Sequence, residues 1–206
     1  MNHDQQSPLI YLLDDDDAVR DALALLLRSV GLRSQGFADP QTFLAGHDRG
    51  AIGCVVLDIR MPGMSGLDVL DRLADSDLPV IMLTGHGNVD LCRRAFKSGA
   101  VEFLQKPVDD DVFLDTVQKA VRQHIASRER QAATLAARQK LARLSGRELD
   151  VLQRIADGLS NKEIARELAL SPRTVETYRA NVFAKLEVDT LAQLIRHYLV
   201  LLPDNA

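Results

Sequence analysis

Five side chains within the first 106 residues stand out because they end apolar runs. The run at 9–13 ends on Asp14 and Asp15, 52–57 on Asp58, 80–83 on Thr84 and 101–105 on Lys106. Short runs of this kind predict strands buried on both faces of a parallel sheet. Parallel strands deliver their carboxyl ends to one edge, and in open α/β sheets that edge holds the ligand. The five are therefore expected to share a rim, and chemically they form a set. Acids can hold a hard divalent cation through oxygen. One acid can act as a nucleophile, while a hydroxyl and an ammonium meet a developing phosphoryl group. Taken singly, each has a plainer reading. Asp58 fits a turn cap before Pro62 and Gly63 equally well, Thr84 a strand-end turn residue, and Lys106 an ordinary surface lysine. Capping suffices for Asp16 and Asp17. Adjacent acids at 14 and 15 repel unless a cation is present, and the ordered recurrence at strand ends argues for a set.

The elements that must position them alternate. Ala18, Val19, Ala22, Leu23, Leu25, Leu26 and Val30 follow the first run at helical spacing until Gly31 stops them. Residues 33–38 read as a second strand, and Asp39-Pro40 opens a helix to about Gly46. Helices are expected over 67–74, from about Asn88 to Lys97, and from about Asp109. Five strand–helix units in roughly 120 residues predict a parallel sheet with helices on both faces.

Length and charge point to a second domain. The chain has 206 residues, 46% hydrophobic and 26% charged, enough for two cores of ordinary size. Residues 1–125 carry 12 Lys and Arg against 19 Asp and Glu; residues 126–206 carry 13 against 10. An acidic front and a mildly basic back suit different partners, nucleic acid among those of the back. No run reaches the roughly 18 apolar residues of a membrane span, and no signal peptide opens the chain, so a cytoplasmic protein without a membrane partner is expected. Cys54 and Cys92 lie in apolar segments and are expected to be buried free thiols.

Leu13-Asp14-Asp15-Asp16, Asp58-x-x-Met61-Pro62-Gly63-Met64-x-Gly66, Leu83-Thr84-Gly85 and Phe103-Leu104-Gln105-Lys106-Pro107 resemble the receiver domain of bacterial two-component response regulators, over about 8–126. The resemblance implies a flavodoxin-like five-stranded parallel sheet with Asp58 as phosphoacceptor. It implies Mg²⁺ (or Mn²⁺) held by Asp14, Asp15, Asp58 and the backbone carbonyl of Arg60. Lys106 would pair with phosphoryl oxygens across a cis Lys106-Pro107 bond. Thr84 and Phe103 match the switch positions, with Phe103 where the family often has Tyr. The partner implied is a sensor histidine kinase, and the chain's only catalysis would be its own phosphorylation and dephosphorylation.

Residues 127–140 are rich in Ala, Arg and Gln without Gly or Pro, which predicts a helical linker. Ser145 and Glu148 have capping-box spacing, with Leu149, Leu152, Ile155 and Leu159 as the helix's apolar face. Ser160 and Glu163 repeat the box ahead of Ile164, Ala165 and Leu168. Ser171-Pro172 opens a third helix burying Val175, Val182 and Leu186. A fourth follows from about Thr190, striped by Leu191, Leu194, Ile195, Tyr198 and Leu202. The pattern fits a helix-turn-helix and, equally, a small bundle with one solvated face.

Specific residues favour the first. Leu144-Ser145-x-Arg147-Glu148, Gly158-x-Ser160-Asn161-Lys162-Glu163-Ile164-Ala165 and Ser171-x-x-Thr174-Val175-x-x-Tyr178-x-x-Asn181-Val182-x-x-Lys185-Leu186 resemble the LuxR-type DNA-binding domain over about 141–203, with Tyr178 where the family usually has His. The resemblance implies a small all-α helix-turn-helix domain with helix 172–186 in the major groove of double-stranded DNA. Glu176, Thr177 and Ala180 would face bases, and Thr174, Arg179, Asn181 and Lys185 the phosphates. Weak monomer binding implies a homodimer, formed on phosphorylation, on a roughly palindromic operator. Together the domains resemble response regulators of the NarL/FixJ class, implying transcriptional activation and contact with RNA polymerase. An aspartyl phosphatase would need a second acid/base and a substrate cap. A ligand-sensing LuxR-type regulator would enclose an apolar pocket in front and have no use for the acids and Lys106.

Overall fold

The computed structural model describes residues 7–85 and 89–201, and the chain divides into two compact units after Glu129. In the first unit, β1 (Leu9–Leu13), β2 (Arg33–Phe37), β3 (Gly53–Asp58), β4 (Val80–Thr84) and β5 (Glu102–Gln105) pair in parallel in the order β2-β1-β3-β4-β5. Between and after them run α1 (Asp17–Ser29), α2 (Pro40–Gly46), α3 (Gly66–Arg72), α4 (Val89–Lys97) and α5 (Asp110–Leu141). This is the flavodoxin-like order.

Strand alternation splits the core in two. Tyr11, Leu13, Val55 and Leu57 point to one face, where Phe43 of α2 and Val69 and Leu70 of α3 cover them. Ile10, Leu12, Cys54 and Val56 point to the other, against Leu23 and Leu27 of α1 and Phe113 and Val117 of α5. Every residue of β3 is buried, as expected for a central strand covered on both sides. Burying those β3 side chains contributes about 1.5–3 kcal/mol each for the larger ones, and Asp58 rides on that strand.

Local signals set most boundaries. Asp16 and Asp39 cap α1 and α2. Ser65 and Asp68 form a reciprocal capping box, so α3 starts at Gly66 and ends at Arg72 rather than spanning 67–74. The 127–140 stretch is the continuation of α5, one helix of 32 residues. Cys54 is buried, whereas Cys92 is half-buried, and both are free thiols. His86, Gly87, Asn88 and Leu202 lie outside the described residues.

The second unit holds α6 (Gly146–Ala156), α7 (Asn161–Glu167), α8 (Pro172–Leu186), α9 (Leu191–Tyr198) and a 3₁₀ turn at Leu199–Leu201. Ser145 with Glu148 and Ser160 with Glu163 form capping boxes, and Ser171 caps α8 ahead of Pro172. Val151, Leu152, Ile155, Ile164, Val175, Val182, Leu186, Leu194 and Tyr198 make its core, with Tyr178 packed against it.

Two apolar stripes differ from expectation. On α6, Leu149 is exposed and Leu159 half-buried, while Val151 and Glu148 go inside. The buried row is therefore 148, 151, 152, 155, a helical face that contains an acid. On α9, Leu194 and Tyr198 are buried, but Leu191 and Ile195 are exposed, because one helix face is all that the small core can cover. Among the described residues no helix is long and apolar enough to cross a membrane.

Candidate functional site

The carboxyl ends of β1 and β3 put Asp14 and Asp58 side by side, and both are buried. Lys106 joins them. Its Nζ donates to Asp58 Oδ1 at 2.9 Å and also to Asp14 Oδ2. The lysine is aimed by the chain itself: its N–H donates to the Thr84 carbonyl at 2.8 Å as β5 leaves the sheet, and the Lys106-Pro107 bond that follows is cis. The Arg60 N–H donates to Asp58 Oδ2 at 2.6 Å and the Asp16 N–H to Asp14 Oδ1 at 3.0 Å. Arg20 of α1 donates through Nη1 to the Asp14 carbonyl at 2.6 Å and pairs with Asp17.

A glycine fixes the loop behind the acid. The Gly66 N–H donates to the Ile59 carbonyl at 2.9 Å. A β-carbon on Gly66 would lie 2.1 Å from the Asp58 carbonyl oxygen, so the loop closes only without one.

Burial pushes the Asp58 carboxyl above its ordinary range, aided by the charge of Asp14 and opposed by Lys106 and the Arg60 N–H. Burial also works against the Lys106 charge, but its hydrogen bonds to Asp14 and Asp58 outweigh that and raise its pKa. The lysine therefore stays cationic between two acids, of which Asp58 is less acidic than a free aspartate.

The other expected residues surround this pair unevenly. Thr84 is buried at the end of β4, and Phe103 is half-buried against the core beneath α4. Asp15 is exposed and does not join the bridge; with Arg60, Met61, Leu91 and Arg94 it lines an open cleft of about 620 Å³. Among the described residues no three acidic, His or Cys side chains converge closely enough to hold a metal ion. The donor set nevertheless suits a hard cation, being all oxygen: the buried carboxylates of Asp14 and Asp58, with Asp15 and Arg60 lining one cleft beside them.

On α8, Glu176, Thr177, Ala180 and Asn181 are exposed, and Thr174 and Arg179 partly so. Thr174 shares a 2.7 Å hydrogen bond with the capping Ser171, and the Thr177 hydroxyl donates to the Arg173 carbonyl at 3.1 Å. Lys185 is exposed as well, but its ammonium is engaged within the domain. Its Nζ donates to the buried Glu148 at 2.7 Å, a partnership that no spacing along the chain signals.

Sequence reasoning also passed over Arg20 and His124. His124 is buried on α5, with Nδ1 3.1 Å from the Gly53 amide nitrogen and 3.0 Å from its carbonyl oxygen. Its Nε2 lies 3.5 Å from Asp77, which Arg128 approaches at 3.4 Å. The signal for His124 was its place on the apolar stripe of α5; for Arg20 there was none.

A lysine spanning two buried acids at the ligand edge of a flavodoxin-like sheet, in one chain with a helix-turn-helix, defines a phosphorelay-type regulator in general terms. The chain belongs to the two-component response regulators, with a receiver domain and a LuxR-type DNA-binding domain. Residues 10–118 match the response regulator receiver domain and residues 142–198 the bacterial regulatory proteins of the luxR family. It is 43% identical over 189 residues to the transcriptional regulatory protein FixJ of Bradyrhizobium diazoefficiens, covering 91% of this chain and 92% of that one. It is 37% identical to the response regulator protein TodT of Pseudomonas putida, covering 93% and 85%. Among solved structures, the response regulator StyR superposes with a TM-score of 0.84 at 37% identity, over 94% of this chain and 99% of that one.

Proposed function

We propose that Asp58 accepts a phosphoryl group from a phosphohistidine on a sensor histidine kinase, and that this converts the chain into a dimer that binds DNA and activates transcription. The observation that carries the reading is the Lys106 ammonium shared by Asp58 and Asp14. A carboxylate oxygen of Asp58 attacks phosphorus in line, the bond to the histidine nitrogen breaks, and Lys106 neutralises charge on the phosphoryl oxygens. Asp14, Asp15, Asp58 and the Arg60 carbonyl would hold Mg²⁺ or Mn²⁺. Such a cation, when bound, supplies further charge neutralisation at the phosphoryl group. Hydrolysis of the acyl phosphate by the receiver itself would reset the switch.

Thr84 and Phe103 carry the change outward. The acyl phosphate draws the Thr84 hydroxyl towards it, and the Phe103 ring moves into the space released. The surface that responds is α4 with β5, where Val89 is 73% and Phe96 46% exposed, and dimerisation would cover it. In the second unit α8 enters the major groove of double-stranded DNA. Glu176, Thr177 and Ala180 face base edges, while Thr174, Arg179 and Asn181 meet phosphates. The exposed Leu191 and Ile195 of α9 give the DNA-binding domains their own contact, which implies two half-sites and a roughly palindromic operator. Receiver 8–126, helical linker 127–140 and DNA-binding domain 141–203 thus divide the work, in the cytoplasm and with RNA polymerase as the downstream partner.

The test is labelling by a small acyl-phosphate donor with Mg²⁺. The wild type takes up one phosphoryl group and Asp58→Asn none; undiminished label in the variant would refute the assignment.

A further inference from the structure

Lys185 sits on the helix proposed to read DNA, yet its ammonium is paired with a buried acid. Glu148 is 3% exposed, at the first position of the buried row of α6. One of its oxygens, Oε2, accepts from the Ser145 N–H at 2.7 Å, the Ser145 hydroxyl at 2.9 Å and Lys185 Nζ at 2.7 Å. A second Lys185 proton points to the Arg143 carbonyl, 3.4 Å away in the turn between α5 and α6. Two of the three ammonium protons are thereby committed.

A buried carboxylate left without its partner is costly, more so than the pair is favourable. Turning Lys185 out to a phosphate would strand Glu148 in the core. The Lys185 hydrogen bond is also the chief reason that the Glu148 carboxyl lies below its ordinary range. The neighbouring pair Lys140–Glu187 is equally short at 2.7 Å, but its acid is 62% exposed, so solvent and salt screen it, whereas in the Lys185 pair the lysine is 41% exposed and the acid only 5%. The lock is the Lys185 pair.

We propose that Lys185 is a positioning residue: paired with Glu148, it fixes the angle of α8 against α6 and makes no contact with DNA phosphate. The proposal rests on the reading of α8 as the groove helix. Glu176 lies about 13 Å along the helix from Lys185, so a tilt of roughly 5° at the last turn moves it by about 1 Å. That is enough to spoil a base-edge hydrogen bond while leaving phosphate attraction intact.

The experiment uses the full chain treated with an acyl-phosphate donor and Mg²⁺, and a duplex that the wild type so treated enriches from a random-sequence pool, with unselected duplex as control. Affinities are measured across a salt series, well below the melting temperature, for Glu148→Gln, Lys185→Gln and the double variant. Gln at 148 keeps the capping acceptor for Ser145 and removes only the charge, which protects the fold. Each single variant should weaken selected-duplex binding by roughly ten-fold. The double variant should be no weaker than either, and unselected binding and the salt slope should hold. A merely structural effect would lower both affinities together and overturn the proposal. So would a fall of about 0.9 in the slope for Lys185→Gln with Glu148→Gln neutral, the mark of a lost phosphate contact. If the wild type enriches no duplex at all, the groove-helix reading itself fails, and the proposal with it.

Discussion

His124 meets the backbone of Gly53 where the sheet cannot. β4 begins only at Val80, which pairs with Val55, so Gly53 has no strand partner on that side. The imidazole Nδ1 sits within 3.1 Å of both its amide nitrogen and its carbonyl oxygen. A side chain from α5 thus stands in for the missing strand and ties the helix to the start of β3.

Removing that tie should be expensive. His124→Ala removes the hydrogen bond to a buried backbone group of Gly53 and opens a cavity, for a loss of about 2–4 kcal/mol. Chemical denaturation of the full chain followed by circular dichroism measures it. A loss under about 0.5 kcal/mol, the level of an inert surface substitution, would mean that the imidazole contributes nothing.

Stability should respond to the charge of Asp58 in a defined direction. Burial raises its pKa in the folded state, so folding takes up a proton and the charged form costs stability at neutral pH. That cost fades as pH falls through the raised value and is gone below the ordinary 3.8, where the unfolded chain is protonated too. Asp58→Asn should therefore melt higher than wild type at pH 7, with the margin closing towards pH 4. A variant that melts lower at pH 7 would contradict the sign.

The two thiols should differ in reactivity. Burial pushes Cys54 up to about 12, and it has no access to solvent, whereas Cys92 is half-buried on α4. Brief alkylation at pH 8 followed by peptide mapping should find label on Cys92 and none on Cys54 until denaturant is added.

Ile195 is 41% exposed on α9, so Ile195→Glu should leave folding within about 0.5 kcal/mol of wild type. If α9 is the second dimer contact, the same variant lowers the dimer fraction after treatment with phosphodonor and Mg²⁺. Sedimentation velocity reads this directly, and an unchanged dimer fraction would remove α9 from the interface.

Much of this architecture was legible because its signals are local. The strands, the caps at Asp16, Asp39, Ser145, Ser160 and Ser171, and the Pro172 start of α8 each depend on a few neighbouring residues. The rim of acids followed from chain direction alone, since parallel strands must end together. What escaped was tertiary. The α6 stripe was misread by skipping Glu148, an acid that can lie inside only because Lys185, 37 residues on, comes to meet it. For the same reason nothing along α8 signalled that Lys185 has a buried acid for a partner. The exposed half of the α9 stripe could not be separated from its buried half, because periodicity records a preference for burial without saying what does the burying. That Asp14 is buried in the bridge to Lys106 while the adjacent Asp15 is exposed on the cleft is likewise not signalled by their adjacency in the chain.

The missing side chain at position 66 leaves the loop after Asp58 no room to vary. Even a methyl there would have to displace the peptide that carries Asp58. In a library with every substitution at every codon, position 66 should be a gap: variants that fold and are expressed, yet lose whatever response the proposed switch at Asp58 governs.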